Sequence, residues 1–120
     1  MHMGYIVKAL VLKNGSTPFR DWVQSLRDRK ARQIIAVRLI RIESGNLGDW
    51  KAVGGGVGEL RIDYGSGYRV YFAKVQQHSE ESIVVLLAGG DKNRQQNDID
   101  SAIALWKEYA NNVSGFLGDI

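Results

Sequence analysis

An α+β fold is predicted, on three observations. A short aliphatic strand is followed by helical spacing over residues 18–44. A glycine-bounded hairpin at 58–72 alternates apolar and polar residues. An unbroken apolar run at 83–88 precedes a last helical stripe. The expected architecture is a small, curved, mainly antiparallel sheet made of the N-terminal strand and a three-stranded meander. Two N-terminal helices pack against it, and a C-terminal helix follows.

The first strand is read at Tyr5 to Leu12, rich in β-branched and aliphatic residues and ended by the turn signal Asn14-Gly15. Thr17-Pro18 looks like an N-cap followed by proline at the first helical position, where its missing N–H costs nothing. Phe19, Trp22, Val23 and Leu26 then recur at helical spacing. Asp28 offers a second cap before Ala31, Ile34, Ile35, Leu39 and Ile42, so two helices or one bent helix are expected, closed by Gly45 at C′. Gly45, Gly48, Gly54, Gly55, Gly56 and Gly58 mark residues 45–58 as a loop, which carries Lys51. No Gly-Lys-Ser/Thr follows these glycines and no helix opens after them, which argues against a nucleotide-binding loop.

The hairpin register can be argued from the sequence. With Gly65-Ser66-Gly67 as a three-residue turn, Tyr64 faces Tyr68, Ile62 faces Val70 and Leu60 faces Phe72, which gathers the large apolar residues on one face. The other face then pairs Asp63 with Arg69 and Arg61 with Tyr71, with Glu59 beyond. A one-residue slip would mix the faces. Ile83 to Ala88 is apolar throughout, as expected of a strand buried on both sides near the sheet centre. Asn93 followed by Gln96 reads as the cap of a final helix with the stripe Ile99, Ala102, Ile103, Trp106, Tyr109 and Ala110. Residues 112–120 are expected to fray.

At 120 residues and 44% hydrophobic, the chain suits one domain spanning residues 1–120, with its core at about residues 5–110. It has no cysteine, so disulfide frameworks and thiolate metal sites are ruled out, in keeping with a cytoplasmic location. Residues 1–5 show no basic region followed by a long apolar run, and no stretch approaches about 18 consecutive apolar residues, so neither secretion nor membrane insertion is expected. A net charge of +3, from 16 Lys and Arg against 13 Asp and Glu, favours an anionic partner only where the cations cluster.

The polar hairpin face supplies Arg61, Asp63, Arg69 and Tyr71, the glycine loop Lys51, and the end of the apolar strand Lys92, Arg94 and Gln96. A curved sheet could bring these to one concavity. No Ser, Cys or His stands in a nucleophile's context and no cluster has metal-ligand spacing, which disfavours triad and zinc hydrolases; no cofactor is expected. His78, between Gln76 and Ser82, reads as a solvated loop residue. Arg, Lys and Tyr together can cleave RNA through its own 2′-hydroxyl. Lys51 or Tyr71 would transfer protons, and Arg61 and Lys92 would clamp phosphate, with Arg69, Arg94 and Gln96 as further phosphate contacts. The blander readings are equally concrete. Asp63 with Arg69 is an ordinary cross-strand ion pair, Tyr71 can simply cover the sheet, and Arg27, Arg29, Lys30, Arg32, Arg38 and Arg41 form a solvated helix face.

The order of elements combines with Gly-Glu-Leu-Arg-Ile at 58–62, Gly-Ser-Gly-Tyr-Arg-Val-Tyr-Phe at 65–72, Leu-Leu-Ala-Gly-Gly-Asp-Lys at 86–92 and Gln96 through Asp98-Ile99. Together they resemble the RelE/ParE superfamily of toxins, and within it the HigB-like addiction-module killer branch. The resemblance covers roughly residues 5–110. It implies a RelE-like fold and a toxin of a type II toxin–antitoxin system, neutralised by a cognate antitoxin, commonly one with a helix-turn-helix domain through which the complex meets DNA. RelE- and HigB-like members are metal-independent endoribonucleases that cut mRNA, usually on the ribosome. ParE-like members poison DNA gyrase instead, and a third possibility is an inactive toxin fold that only binds its antitoxin. In this comparison Arg61 matches a catalytic or phosphate-binding arginine, Lys51 falls in a loop that supplies basic residues, and Lys92 follows the central strand. No counterpart of the C-terminal Tyr or His of some members is found after Lys92.

Overall fold

The computed structural model describes residues 4–77 and 81–120. Along the chain run β1 (Ile6–Leu10), α1 (Pro18–Ser25), α2 (Arg29–Glu43), β2 (Trp50–Gly54), β3 (Val57–Ile62), β4 (Tyr68–Gln77) and β5 (Glu81–Asp91). A 3-10 turn (Lys92–Arg94), α3 (Gln95–Tyr109), a second 3-10 segment (Ala110–Phe116) and β6 (Leu117–Gly118) complete it. The architecture is α+β, with one open six-stranded sheet in the order β2-β3-β4-β5-β1-β6. Its strands pair antiparallel except for β1 with β5.

Helices cover both faces of this sheet. On one, Leu60, Ile62, Val70, Phe72, Val84 and Leu86 pack with Phe19 of α1 and Ile35, Leu39 and Ile42 of α2. On the other, Val57, Tyr71, Ala73, Val85 and Leu87 pack with Ala102 and Tyr109 of α3 and with Val113. Neighbouring residues of β5 alternate between the two cores, so the continuous apolar run at its centre follows from burial on both sides. Each large side chain withdrawn from water here stabilises the fold by about 1.5–3 kcal/mol.

The helix starts behave as their sequences suggest, with one change. Pro18 opens α1, and the Asp28 carboxylate caps α2 by accepting from the backbone N–H groups of Lys30 and Ala31. Asn93 does not cap the last helix, whose N-cap residue Arg94 makes no capping side-chain bond: the Asp91 side chain accepts from Asn93 N–H and starts the 3-10 turn that leads into α3. Gly89 and Gly90, just before this turn, admit a helix on each side. A Cβ on Gly89 would lie 2.1 Å from the Trp22 ring of α1, and one on Gly90 would lie 2.1 Å from an Asp98 carboxylate oxygen of α3.

Three sequence expectations are corrected. The glycine-rich stretch 45–58 contains the edge strand β2, paired with β3 through Trp50↔Leu60 and Lys51↔Glu59. Its glycines serve the connecting turn, where Gly54, Gly55 and Gly56 all have positive φ. The tail is ordered: β6 pairs with β1, Phe116 packs edge-on against Tyr109 at 5.0 Å, and Asp119 accepts from Lys8 Nζ at 2.7 Å. The sheet therefore has six strands where the sequence suggested four.

The third correction concerns the hairpin. The observed pairs are Ile62↔Tyr68, Arg61↔Arg69, Leu60↔Val70 and Glu59↔Tyr71, displaced by two residues from the expected register, with residues 63–67 forming the loop. A two-residue slip leaves every side chain on its face, so the hydrophobic pattern cannot discriminate between the two registers. Contacts from outside the hairpin favour the observed one. Tyr64 leaves the ladder to donate to Asp28 Oδ2 at 2.9 Å and to stack on Tyr68. Glu59, not Asp63, becomes the carboxylate that meets the arginines.

Candidate functional site

The β3–β4 loop and the start of the 3-10 turn enclose a cleft of about 270 Å3, lined by Asp49, Arg61, Asp63, Gly65, Gly67, Arg69 and Lys92. Arg61 and Arg69 stand directly opposite each other on β3 and β4, and Gly90 of β5 continues the row beyond Arg69. Lys92 joins them because its backbone N–H donates to Gly67 O at 3.3 Å, which brings the end of β5 against the hairpin loop. Gly67 lies between the cations: a Cβ there would approach Arg69 Nη1 at 3.4 Å and Lys92 Cδ at 3.6 Å.

Beneath the two arginines lies Glu59, a fully buried carboxylate. Its Oε1 is 3.5 Å from Arg61 Nε and 3.7 Å from Arg69 Nε, distances of ion pairing rather than hydrogen bonding. Tyr71 donates its hydroxyl to Glu59 Oε2 at 3.1 Å, and Gln95 Nε2 donates to both oxygens at 2.9 and 3.1 Å. Burial, reinforced by the adjacent carboxylate, pushes the Tyr71 phenol well above its ordinary pKa, so it stays protonated.

Arg38 fixes the outer wall. From α2 its guanidinium donates to the carbonyls of Leu47, of Asp49 at 2.6 Å and of Arg61 at 2.7 Å, tying helix, loop and strand together. Partial burial lowers its pKa, although a guanidinium keeps its charge. On sequence alone this residue belongs to a solvated basic face; in the fold its guanidinium donates to backbone carbonyls instead.

Of the residues singled out from sequence, Arg61, Arg69 and Lys92 share the cleft, while Lys51, Tyr71, Arg94 and Gln96 lie outside its lining. Lys51 is exposed on edge strand β2, in the row that continues through Glu59 and Tyr71. Tyr71 is fully buried, with its hydroxyl bonded to Glu59. Arg94 is exposed and partly offsets the upward pull of burial on the Asp98 carboxyl. Gln96 donates to Asp100 at 3.0 Å on the outer side of α3. Its neighbour Gln95 meets Glu59, because the intervening 3-10 turn sets the helical phase. The expected Asp63–Arg69 pair is replaced by Glu59–Arg69, since the register moves Asp63 into the loop. His78 lies outside the described residues.

Sequence reasoning also missed Gln95, Arg38 and the carboxylate of Asp49 on the cleft wall. Glu59 could have been found from its alternation with Arg61, which places both on one face. Among the described residues no group of three or more His, Asp or Glu side chains is placed to hold a metal ion. No helix of the described chain is long and apolar enough to cross a membrane. A larger groove of about 450 Å3 between α1 and α2 is mainly apolar, with Phe19, Val23, Ile35 and Leu39 in its walls. Two arginines also line it, but each donates to a backbone carbonyl, Arg20 to that of Asp119 and Arg32 to that of Leu26.

An uncharacterized protein of Haemophilus influenzae is 42% identical over 90 residues, which cover 75% of this chain and 87% of that protein. The chain belongs to that protein's family. No family model matches the chain, and no solved structure matches it.

Proposed function

We propose that this chain is a RelE/ParE-type toxin with a RelE-like fold: a metal-independent endoribonuclease that cuts mRNA on the ribosome and is neutralised by a cognate antitoxin. The observation that carries this reading is the convergence of Arg61, Arg69 and Lys92 on one cleft. Two guanidiniums and an ammonium are opposite in sign to a scissile phosphate, whose negative charge grows as the pentavalent transition state forms. The order of strands and helices and the Gly-Glu-Leu-Arg and Gly-Gly-Asp-Lys segments support the same assignment.

In this mechanism the 2′-hydroxyl loses its proton and its oxygen attacks phosphorus. The P–O5′ bond breaks, leaving a 2′,3′-cyclic phosphate, and the departing 5′ oxygen takes a proton to become a hydroxyl. Lys92 would give the proton to the departing 5′ oxygen, and Asp49 or Asp63, which also line the cleft, would take the one from the 2′-hydroxyl. Lys51 and Tyr71, expected to move protons, do not line the cleft. An antitoxin with an acidic segment would neutralise the protein by occupying the same cations.

Mapping 5′ ends of cellular RNA after brief induction tests the assignment. New 5′-hydroxyl ends in coding regions are expected, and Arg61→Ala combined with Lys92→Ala should abolish them and restore growth without loss of fold. Intact mRNA in arrested cells, with trapped cleavage complexes in a supercoiling assay, would replace the nuclease by a gyrase poison.

A further inference from the structure

Arg61 and Arg69 are direct cross-strand neighbours, an arrangement in which like charges repel. Both Nε atoms are buried and face Glu59 Oε1. Glu59 is itself held from the other side by Tyr71 and Gln95, so its plane is fixed before any ligand arrives. Among the described residues, neither the Nη groups of Arg61 nor Arg69 Nη2 donates to protein, whereas Arg69 Nη1 donates to Tyr68 O.

We infer that Glu59 is a positioning residue: it locks two mutually repelling guanidiniums side by side as a preorganised receptor for one phosphate group of a nucleic-acid strand. The inference rests on the phosphate-binding reading of the cleft and adds a residue that never touches the ligand. Its consequence runs against simple electrostatics. Neutralising a carboxylate beneath a cationic cleft makes the cleft more positive, which alone would tighten anion binding. With Glu59 as the lock, neutralisation lets the guanidiniums separate, and the cost of reassembling them around the ligand weakens binding.

The probe is a single-stranded 2′-O-methyl RNA oligonucleotide, which presents phosphates but has no 2′-hydroxyl to attack, titrated into the full chain by calorimetry at fixed salt. Glu59→Gln is expected to bind about tenfold more weakly than the unsubstituted chain. The NMR Nε–Hε signals of Arg61 and Arg69, assigned with Arg61→Lys and Arg69→Lys, should collapse toward the position of free guanidinium. Unchanged or tighter binding by folded Glu59→Gln overturns the inference, as does failure of the unsubstituted chain to bind the probe. Should Glu59→Gln fail to fold, Gln95→Ala decides, because it frees the same carboxylate from a half-buried position. A smaller loss of affinity in the same direction supports the lock, and unchanged affinity overturns it. Unmodified RNA of the same sequence separates the two readings: binding of the probe without cleavage of this RNA sinks the nuclease and leaves the receptor standing.

Discussion

The two faces of the β3–β4 hairpin differ in depth as well as in chemistry: Leu60, Ile62, Val70 and Phe72 are buried, whereas on the other face the Arg61 side chain is 38% exposed above a fully buried Glu59. Toward α1 and α2, Leu60, Ile62, Val70 and Phe72 meet apolar partners, and burial needs no directional match. Toward α3, the same strands present Glu59, Arg61, Arg69 and Tyr71: Tyr71 donates to the Glu59 carboxylate, while the two buried arginine Nε atoms face it at ion-pairing distance without a hydrogen bond. The apolar face can therefore lose volume and pay in stability alone. The polar face should respond in binding as well, since its geometry is set by charge.

The comparison breaks first on its apolar side. Phe72→Ala removes a ring that fills the space above Gly58 and packs edge-on with Trp50 at 5.6 Å, and about 3–5 kcal/mol of stability should be lost in denaturant unfolding. Affinity of the remaining folded fraction for the RNA probe should be nearly unchanged. A matching loss of affinity would show the faces to be coupled.

Tyr71→Phe tests the polar side with a smaller effect, about 1–2 kcal/mol, because Glu59 keeps its bonds from Gln95. The same phenol sets an alkaline limit. Its folded pKa is raised, so above the unfolded value near 10 the unfolded chain binds fewer protons than the folded one, and stability falls as pH rises. Phenolate absorbance from Tyr71 should appear only together with unfolding, and Tyr71→Phe should flatten this part of the pH profile.

The smallest effect is expected at Asp28, which joins the apolar-side helix to the hairpin loop by capping α2 and accepting from Tyr64. Asp28→Ala should lower Tm by no more than a few degrees. The Tyr64 bond, then the backbone bond from Ala31, holds the Asp28 carboxyl below its ordinary pKa. Its contribution is therefore present above the unfolded value and lost as pH falls through the folded one, and the variant should lack that part of the acid transition.

Much of this was legible in the residues. The alternation from Glu59 to Phe72, the double-sided run from Ile83 and the stripe of α3 determined which elements form and which side chains share a face, because strand and helix periods are local properties of the backbone. Arg61 and Arg69 could be nominated for the same reason, and Lys92 from its place at the end of the apolar run. What only the tertiary structure decided lies where the local period has no preference. Registers two residues apart are equivalent to an alternating pattern, and the contacts of Tyr64 with Asp28, together with those of Glu59 with Gln95 and both arginines, favour one of them. The turn at Lys92–Arg94 chose Gln95 over Gln96, and Arg38, from outside the cleft, came to hold the backbone carbonyls of Asp49 and Arg61 in its wall when the loop at Leu47 and Asp49 folded onto it. Periodicity assigns a side chain to a face; which partner it meets there depends on chain segments distant in sequence.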